Sequence, residues 1–108
     1  MSEIVLTRAD HGKTLAVTVG SALSVGLDES PTTGYAWADR SQGPVLSLKS
    51  SNFALASRAG VGGGGRRSLR FSVAAPGTTT LRLVLVRAWE TDASAVDEFA
   101  VSVVATPP

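Results

Sequence analysis

Three short segments of this 108-residue chain, at 30–35, 60–65 and 87–90, carry more chemistry than turns between strands require. In the first, SPTTGY, Pro31 fixes one φ angle, Gly34 permits a positive one, and two threonine hydroxyls lie between them. In the second, four consecutive glycines are costly to order, which makes sense where another backbone must approach closely. In the third, Trp89 follows the most apolar run, and an exposed tryptophan is a good interface anchor. Each segment is therefore a candidate binding loop.

Each segment also has a plainer interpretation. The first is compatible with an ordinary turn that leads into the next strand at Tyr35. The glycine run is compatible with a flexible loop that has no role. Trp89 is compatible with a side chain folded back onto the edge of the core. Composition alone leaves these alternatives open.

Motifs for catalysis and cofactor binding lack the structural context that their chemistry needs. Gly60, Gly62 and Gly65 match the pattern G-x-G-x-x-G, but a phosphate-binding loop must lead into a helix, and an alternating strand pattern follows here. His11 lies in a turn sequence, with no third group to orient it toward a nucleophile. The chain has no cysteine and one histidine, which argues against thiolate chemistry and a zinc site. We therefore predict no catalytic residue, no metal and no cofactor.

Charge and hydropathy exclude further classes of function. Ten basic and nine acidic residues give a net charge of +1 and are scattered, so we interpret them as solvated charges on strand faces. A nucleic-acid partner is not expected, because such a surface needs a concentrated basic patch. No apolar run approaches the roughly 20 residues of a membrane helix. With no signal peptide at the N-terminus, we expect a cytoplasmic protein or a mature secreted form. We expect residues 1–108 to form one domain and a monomer.

Apolar residues alternate with polar or small ones in most segments, which is typical of half-buried strands. Turn residues separate these runs, and no window shows the periodicity of a long helix. This pattern predicts an all-β immunoglobulin-like sandwich of about seven strands in two antiparallel sheets, with a barrel as the alternative. We expect Trp37 in the core and the late strand to end near Val86, which leaves Trp89 on a loop. The runs centre on Val17, Val25, Trp37, Phe71, Leu83 and Val101.

The three segments, in this order and spacing, resemble the chagasin family of cysteine protease inhibitors. The family signatures are Asn-Pro-Thr-Thr-Gly followed by Phe or Tyr, a Gly-x-Gly-Gly stretch, and Arg-Pro-Trp. The second matches Gly62–Gly65, with residues 60–63 as a shifted alternative. The resemblance extends from about Leu15 to about Val103. Ser30 replaces the asparagine and Ala88 replaces the proline, and we expect these departures to soften two loops and to retune affinity rather than abolish it.

The resemblance implies a reversible, competitive and tight-binding inhibitor that occludes the active-site cleft of papain-like cysteine proteases and is not itself an enzyme. The loop of Thr32 would enter the groove beside the catalytic Cys-His pair. The glycine loop would pair along the unprimed side, and Trp89 would cover the primed side. The alternatives are a β-sandwich binding module for a carbohydrate or protein ligand, and a structural domain that merely retains the motifs. The protease-binding residues implied by the resemblance are Pro31, Thr32, Thr33, Gly34, Tyr35, Gly62, Gly63, Gly64, Gly65, Arg87, Ala88 and Trp89.

Overall fold

The computed structural model describes residues 3–30, 33–55 and 64–108 of the chain. These residues form two short 3-10 turns, Arg8–Asp10 and Asp92–Ser94, and eight strands. The strands are β1 (Glu3–Leu6), β2 (Thr14–Thr18), β3 (Ala22–Glu29), β4 (Tyr35–Asp39), β5 (Leu46–Leu55), β6 (Gly65–Val73), β7 (Gly77–Arg87) and β8 (Asp97–Thr106).

The strands form two four-stranded sheets, in the orders β1-β3-β6-β5 and β2-β8-β7-β4. The prediction of an all-β, immunoglobulin-like sandwich is confirmed. The pairs β3–β6, β5–β6, β7–β8 and β4–β7 are antiparallel, as expected. One edge pair in each sheet, β1–β3 and β2–β8, is parallel instead. Side-chain alternation is the same in both arrangements, so the sequence pattern could not reveal this difference.

The core lies between the two sheets and is built from the alternating residues of the central strands. Leu23, Val25 and Leu27 of β3 point inward, and the residues between them are partly exposed. On the other sheet Phe99 is completely buried, as is most of Trp37. Burial of apolar surface of this kind is the main favourable term in folding. The predicted place of Trp37 in the core is therefore confirmed.

Strands β1 and β5 were not anticipated from the sequence. Strand β5 is an edge strand with no simple alternation of burial, and its register with β6 shifts between Leu48 and Ser50. A bulge of this kind places two residues opposite one and breaks the period of two. Strand β1 has four residues, too few for a recognisable pattern. Across the described ranges, no helix is long and apolar enough to cross a membrane.

Strand register places three connections at the same end of the sandwich. In the first sheet Glu29, at the end of β3, pairs with Gly65, at the start of β6, and Leu55, at the end of β5, pairs with Gly65 too. In the second sheet Tyr35, at the start of β4, pairs with Arg87, at the end of β7. The β3–β4, β5–β6 and β7–β8 connections therefore all begin and end at this edge, hereafter the loop edge.

The completely buried Phe99 provides a test of the core. We expect Phe99→Ala to lower the free energy of unfolding by about 3–5 kcal/mol, because it removes a buried ring and leaves a cavity. Urea denaturation followed by circular dichroism measures the change. Val104→Ala is the control, since Val104 lies on the same strand with its side chain 36% exposed. Similar losses in both variants would contradict this description of the core.

Candidate functional site

The loop edge contains the described parts of all three predicted binding segments. The first loop, 30–34, joins β3 to β4, the second, 56–64, joins β5 to β6, and the third, 88–96, joins β7 to β8. Four of the predicted site residues, Pro31, Thr32, Gly62 and Gly63, lie outside the described residues. The other eight, Thr33, Gly34, Tyr35, Gly64, Gly65, Arg87, Ala88 and Trp89, are described.

The first loop is closed by hydrogen bonds to its own backbone. The carbonyl of Ser30 accepts bonds from the amide of Thr33, at 3.1 Å, and from its hydroxyl, at 2.7 Å. The same hydroxyl accepts the amide of Tyr35 at 3.2 Å. Gly34 has a φ of 81°, in the left-handed region that glycine adopts without strain. The contacts that close the loop use the main chain of Ser30, which any residue at this position supplies.

The strand residues at the bases of the first and third loops are in direct contact. The guanidinium of Arg87 lies 4.5 Å from the centroid of the Tyr35 ring, a cation–π contact between residues that pair across β4 and β7. A Cβ atom placed on Gly34 would lie 3.7 Å from Cη2 of Trp89 and 3.8 Å from Nε of Arg87. The two loops therefore form one continuous surface.

Trp89 is the most exposed large apolar side chain among the described residues, at 75%. It lies on the loop, as predicted, while β7 continues to Arg87, one residue beyond the predicted end. The Arg87 guanidinium is 6.0 Å from the Trp89 ring. A bond of 3.0 Å from the Glu90 amide to the Arg87 carbonyl closes a turn over Ala88. This geometry presents Trp89 to solvent at the end of a hydrogen-bonded strand.

The second loop ends beside the first. A Cβ atom placed on Gly64 would lie 3.8 Å from Oγ of Ser30. Gly65 is confined more tightly, because a Cβ atom there would lie 2.3 Å from the carbonyl oxygen of Ala54 and 2.6 Å from Cζ of Phe53. Only hydrogen fits at this position, where β6 begins to pair with β5. Gly64 and Gly65 therefore differ in role: the first lies in open surroundings and the second in a close backbone approach.

A buried ion pair lies directly beneath the loop edge. Glu29 accepts bonds from Nε of Arg67 at 3.1 Å and from Nη2 at 2.8 Å. The side chain of Glu29 is 2% exposed and that of Arg67 is 21% exposed. The expectation that the charges are solvated is therefore wrong for Glu29, and Arg67 is only partly exposed. The alternation of the strands indicated that both side chains face the interior, since Glu29 is in phase with Leu27 and Arg67 is in phase with Leu69.

A cleft of about 290 Å³ opens beside the first loop. Its lining includes Thr33 and Tyr35 from the predicted site, together with Val96, which is 59% exposed. Val96 comes from the end of the third loop, and its amide donates to the carbonyl of Leu85. Val96 was not predicted as a site residue, because an isolated valine in a loop belongs to no recognisable pattern. It adds an exposed apolar side chain to the loop edge.

The features that could have indicated an enzyme have structural explanations. The glycine motif leads into β6 rather than a helix. His11 is exposed, and its Nδ1 accepts the amide of Ala100 at 3.0 Å. Among the residues that the structure describes, no group of three or more His, Cys, Asp or Glu side chains could hold a metal ion.

Comparison with known proteins shows the family of the chain. Residues 16–103 match the sequence model of the family described as Chagasin family peptidase inhibitor I42. Chagasin from Trypanosoma cruzi is 31% identical over 90 residues, which are 78% of this chain and 81% of chagasin.

Two solved structures extend the comparison to the fold. The cysteine protease inhibitor EhICP2 from Entamoeba histolytica superposes with a TM-score of 0.87 at 25% identity, over 97% of this chain and 96% of EhICP2. PbICP-C, solved in complex with falcipain-2, superposes with a TM-score of 0.64 over 98% of this chain and 100% of its own. At 15% identity, the likeness to PbICP-C shows the fold alone.

A β-sandwich with three connections at one end, two of them joined at their bases by aromatic and cationic side chains, is the kind of scaffold on which loops commonly carry binding residues. With its sequence match from residue 16 to residue 103, the chain belongs to the chagasin family of peptidase inhibitors. The prediction of a chagasin-family inhibitor of cysteine proteases that is not an enzyme is thus confirmed.

The two neighbouring glycines give a matched test of the second loop. We expect Gly65→Ala to destabilise the protein by about 1–3 kcal/mol, because its methyl group would overlap the backbone of β5. Gly64→Ala has room for the same group and should leave the free energy of unfolding within about 0.5 kcal/mol of the native value. Thermal and urea unfolding of both variants measure the difference. A Gly65→Ala variant as stable as Gly64→Ala would show that the approach of β5 is looser than described.

Proposed function

We propose that the loop edge is the inhibitory surface and that it occludes the active-site cleft of papain-like cysteine proteases reversibly and competitively. One observation carries this proposal: the described parts of three separate loops meet at a single end of a rigid sandwich. A groove that normally holds an extended peptide needs a narrow, continuous partner of this kind. Family membership supports the class of enzyme, and PbICP-C, a protein of the same fold, has been solved in complex with falcipain-2.

The first loop is proposed to enter the groove between the walls of the protease. Bonds of Thr33 with Ser30 and Tyr35 close the described ends of the loop, and we propose that this closure denies the protease an extended segment to cleave. The hydroxyl of Thr33 is already engaged in this closure. Thr32 is therefore the residue whose hydroxyl we propose to meet the catalytic imidazole of the protease, without a covalent step.

The other two loops are proposed to bind on either side of the first. The glycine loop would approach the unprimed side, where the absence of side chains lets its backbone reach that of the enzyme. Trp89 would cover the primed side as the principal anchor, since most interface energy rests on a few aromatic or arginine residues. Arg87, held against Tyr35, would support Trp89 rather than act alone. Protease–inhibitor interfaces of standard size bury about 1,600 Å² in total.

We propose that binding requires little reorganisation at the bases of the first and third loops. Both loops begin and end at paired strand residues, and Tyr35 and Arg87 at their bases are already in contact in the free protein. Loops held in place before binding reduce the entropy cost of ordering the interface. The replacement of proline by Ala88 raises that cost modestly, although the Glu90–Arg87 bond retains the turn.

Titration of papain with the purified protein and a fluorogenic substrate tests the proposed function. We expect stoichiometric loss of activity that recovers on dilution, a Lineweaver–Burk pattern of competition with substrate, and an inhibitor that remains intact by mass spectrometry. A screen against immobilised glycans, run in parallel, tests the carbohydrate-binding alternative. Full papain activity at a large excess of the protein would contradict the proposal.

Trp89→Ala tests the anchor on the primed side. We expect it to weaken inhibition by at least about 1–2 kcal/mol, or roughly 5- to 30-fold in the inhibition constant, because an exposed aromatic ring is lost from the interface. Val5→Ala is the matched control: Val5 is 69% exposed and lies on β1, outside the loop edge. Equal inhibition constants for wild type and Trp89→Ala would rule out the anchor role.

A further inference from the structure

We propose that the buried ion pair of Glu29 and Arg67 positions the loop edge for binding, and so determines how often the free protein is competent to bind a protease. Its kinetic consequence rests on the proposed function, whereas its structural consequence can be measured in the free protein. The family signatures include neither residue.

The pair fixes the orientation of both side chains. Arg67 donates through Nε and Nη2 to the two separate oxygens of the Glu29 carboxylate, at 3.1 and 2.8 Å. Such a bidentate contact restricts angle as well as distance. The guanidinium is held further by a bond from Nη1 to Oγ of Ser51, at 3.2 Å, and by its place 5.7 Å from the Phe53 ring. Arg67 therefore links β3 to β5 across β6.

The position of each partner in the chain connects this contact to the loops. Glu29 is the last residue of β3, immediately before the first loop. Arg67 lies two residues after Gly65, where the second loop has just ended. The ion pair thus links the start of the first loop to the end of the second loop. A shift of either side chain would displace both loops relative to each other.

Glu29 also connects the two sheets. Its Oε1 accepts the amide of Trp37, at 2.9 Å, and Trp37 belongs to β4 in the opposite sheet. The indole nitrogen of Trp37 donates to the carbonyl of Asp28, again at 2.9 Å. β4 is an edge strand, so on its outer side the amide of Trp37 faces no neighbouring strand. The amide donates to the Glu29 carboxylate instead.

The contact between Glu29 and Trp37 also affects the position of the third loop. Tyr35 lies two residues before Trp37 on the same face of β4, and its ring packs against Arg87. When Glu29 holds Trp37, it also holds Tyr35, and Tyr35 holds the base of the loop that carries Trp89. One carboxylate thereby orients elements of all three loops.

Stability alone does not explain a charge pair at this place. Removing two charges from water is costly, and apolar residues of similar size often stabilise a protein equally or better. An apolar pair would fill the space, but it would not give the Trp37 amide an acceptor from the opposite sheet. The specific advantage of Glu29 and Arg67 is orientation.

The kinetic consequence is distinctive. If the loop edge is correctly arranged in only a fraction of molecules, the apparent dissociation constant rises by the inverse of that fraction. Association with the protease slows by the same factor, whereas dissociation of the correctly formed complex is unchanged. Loss of a direct contact, as in Trp89→Ala, acts mainly by faster dissociation. Residues that position the loop edge can therefore be distinguished from residues that contact the protease by whether their substitution changes the association or the dissociation rate constant.

The experiment compares Glu29→Met, Glu29→Gln and Arg67→Lys with wild type by stopped-flow association with papain and by competition-chase dissociation. Glu29→Gln retains an oxygen that can accept the Trp37 amide but lacks the charge, and Glu29→Met lacks both. We expect association to slow by about tenfold in Glu29→Met and by less in the two conservative variants, with dissociation within about twofold of wild type.

Two controls separate positioning from general loss of stability. Val17→Ala removes buried volume from β2, whose Val17 pairs with Ala105 near the end opposite the loop edge. Glu3→Gln removes the exposed ion pair of Glu3 with Arg70 in the same sheet as Glu29. Both controls should associate at the wild-type rate. Urea concentrations at which Val17→Ala and the Glu29 variants are equally stable allow a comparison at matched stability.

Hydrogen exchange of the free protein gives a measurement that does not depend on inhibition. We expect the amides of Tyr35 and Trp37 to exchange faster in the Glu29 variants than in Val17→Ala at matched stability. Unchanged exchange at these amides would overturn the positioning role, as would wild-type association in all three variants. If wild-type protein fails to inhibit papain, the proposed function fails, and the exchange data alone decide this inference. If Glu29→Met does not fold, Glu29→Gln and Arg67→Lys decide it.

Discussion

The arrangement of the loop edge depends on one carboxylate. Glu29 occupies the inward position at the end of β3, where the row of buried apolar residues meets the loops. At that point it binds the guanidinium of Arg67 and the amide of Trp37, which belong to different strands and to different sheets. A sandwich held together by apolar side chains alone has two faces that can slide, since apolar contacts are not directional. Directional bonds at the end of the sandwich set the relative position of the segments that leave it.

Above this pair, the loops rely on main-chain closure and on close contacts more than on particular side chains. The first loop closes on the carbonyl of Ser30, and the turn of the third closes on the carbonyl of Arg87. These bonds explain how the chain accommodates serine and alanine where the family signatures have asparagine and proline. Residues whose side chains cannot be exchanged so freely are those with defined neighbours, such as Gly65 against Ala54 and Arg87 against Tyr35.

Much of the fold was predictable because period-two alternation directly reports which residues face a core. That signal identified β2, β3, β4, β6, β7 and β8 and placed Trp37 correctly. It failed for β5, where a bulge beside Lys49 and exposure on both faces erase the alternation, and for the short β1. It also failed for Glu29 and Arg67, since charged residues were assigned to solvent by type, although their phase with Leu27 and Leu69 indicated the interior. The parallel pairing of the edge strands depends on contacts between distant segments and leaves no local trace.

The amino-acid sequence by itself determined the kind of fold, the three segments able to form a binding surface, and their likeness to the chagasin family. It did so because alternation, turn residues and short motifs are local properties of a chain. Only the tertiary structure decided that these segments share one end of the sandwich, that Arg87 lies on the Tyr35 ring, and that Val96 joins them. These facts follow from strand register and from the partner that each buried charge finds across the sheets, and both are set by residues far apart in the chain.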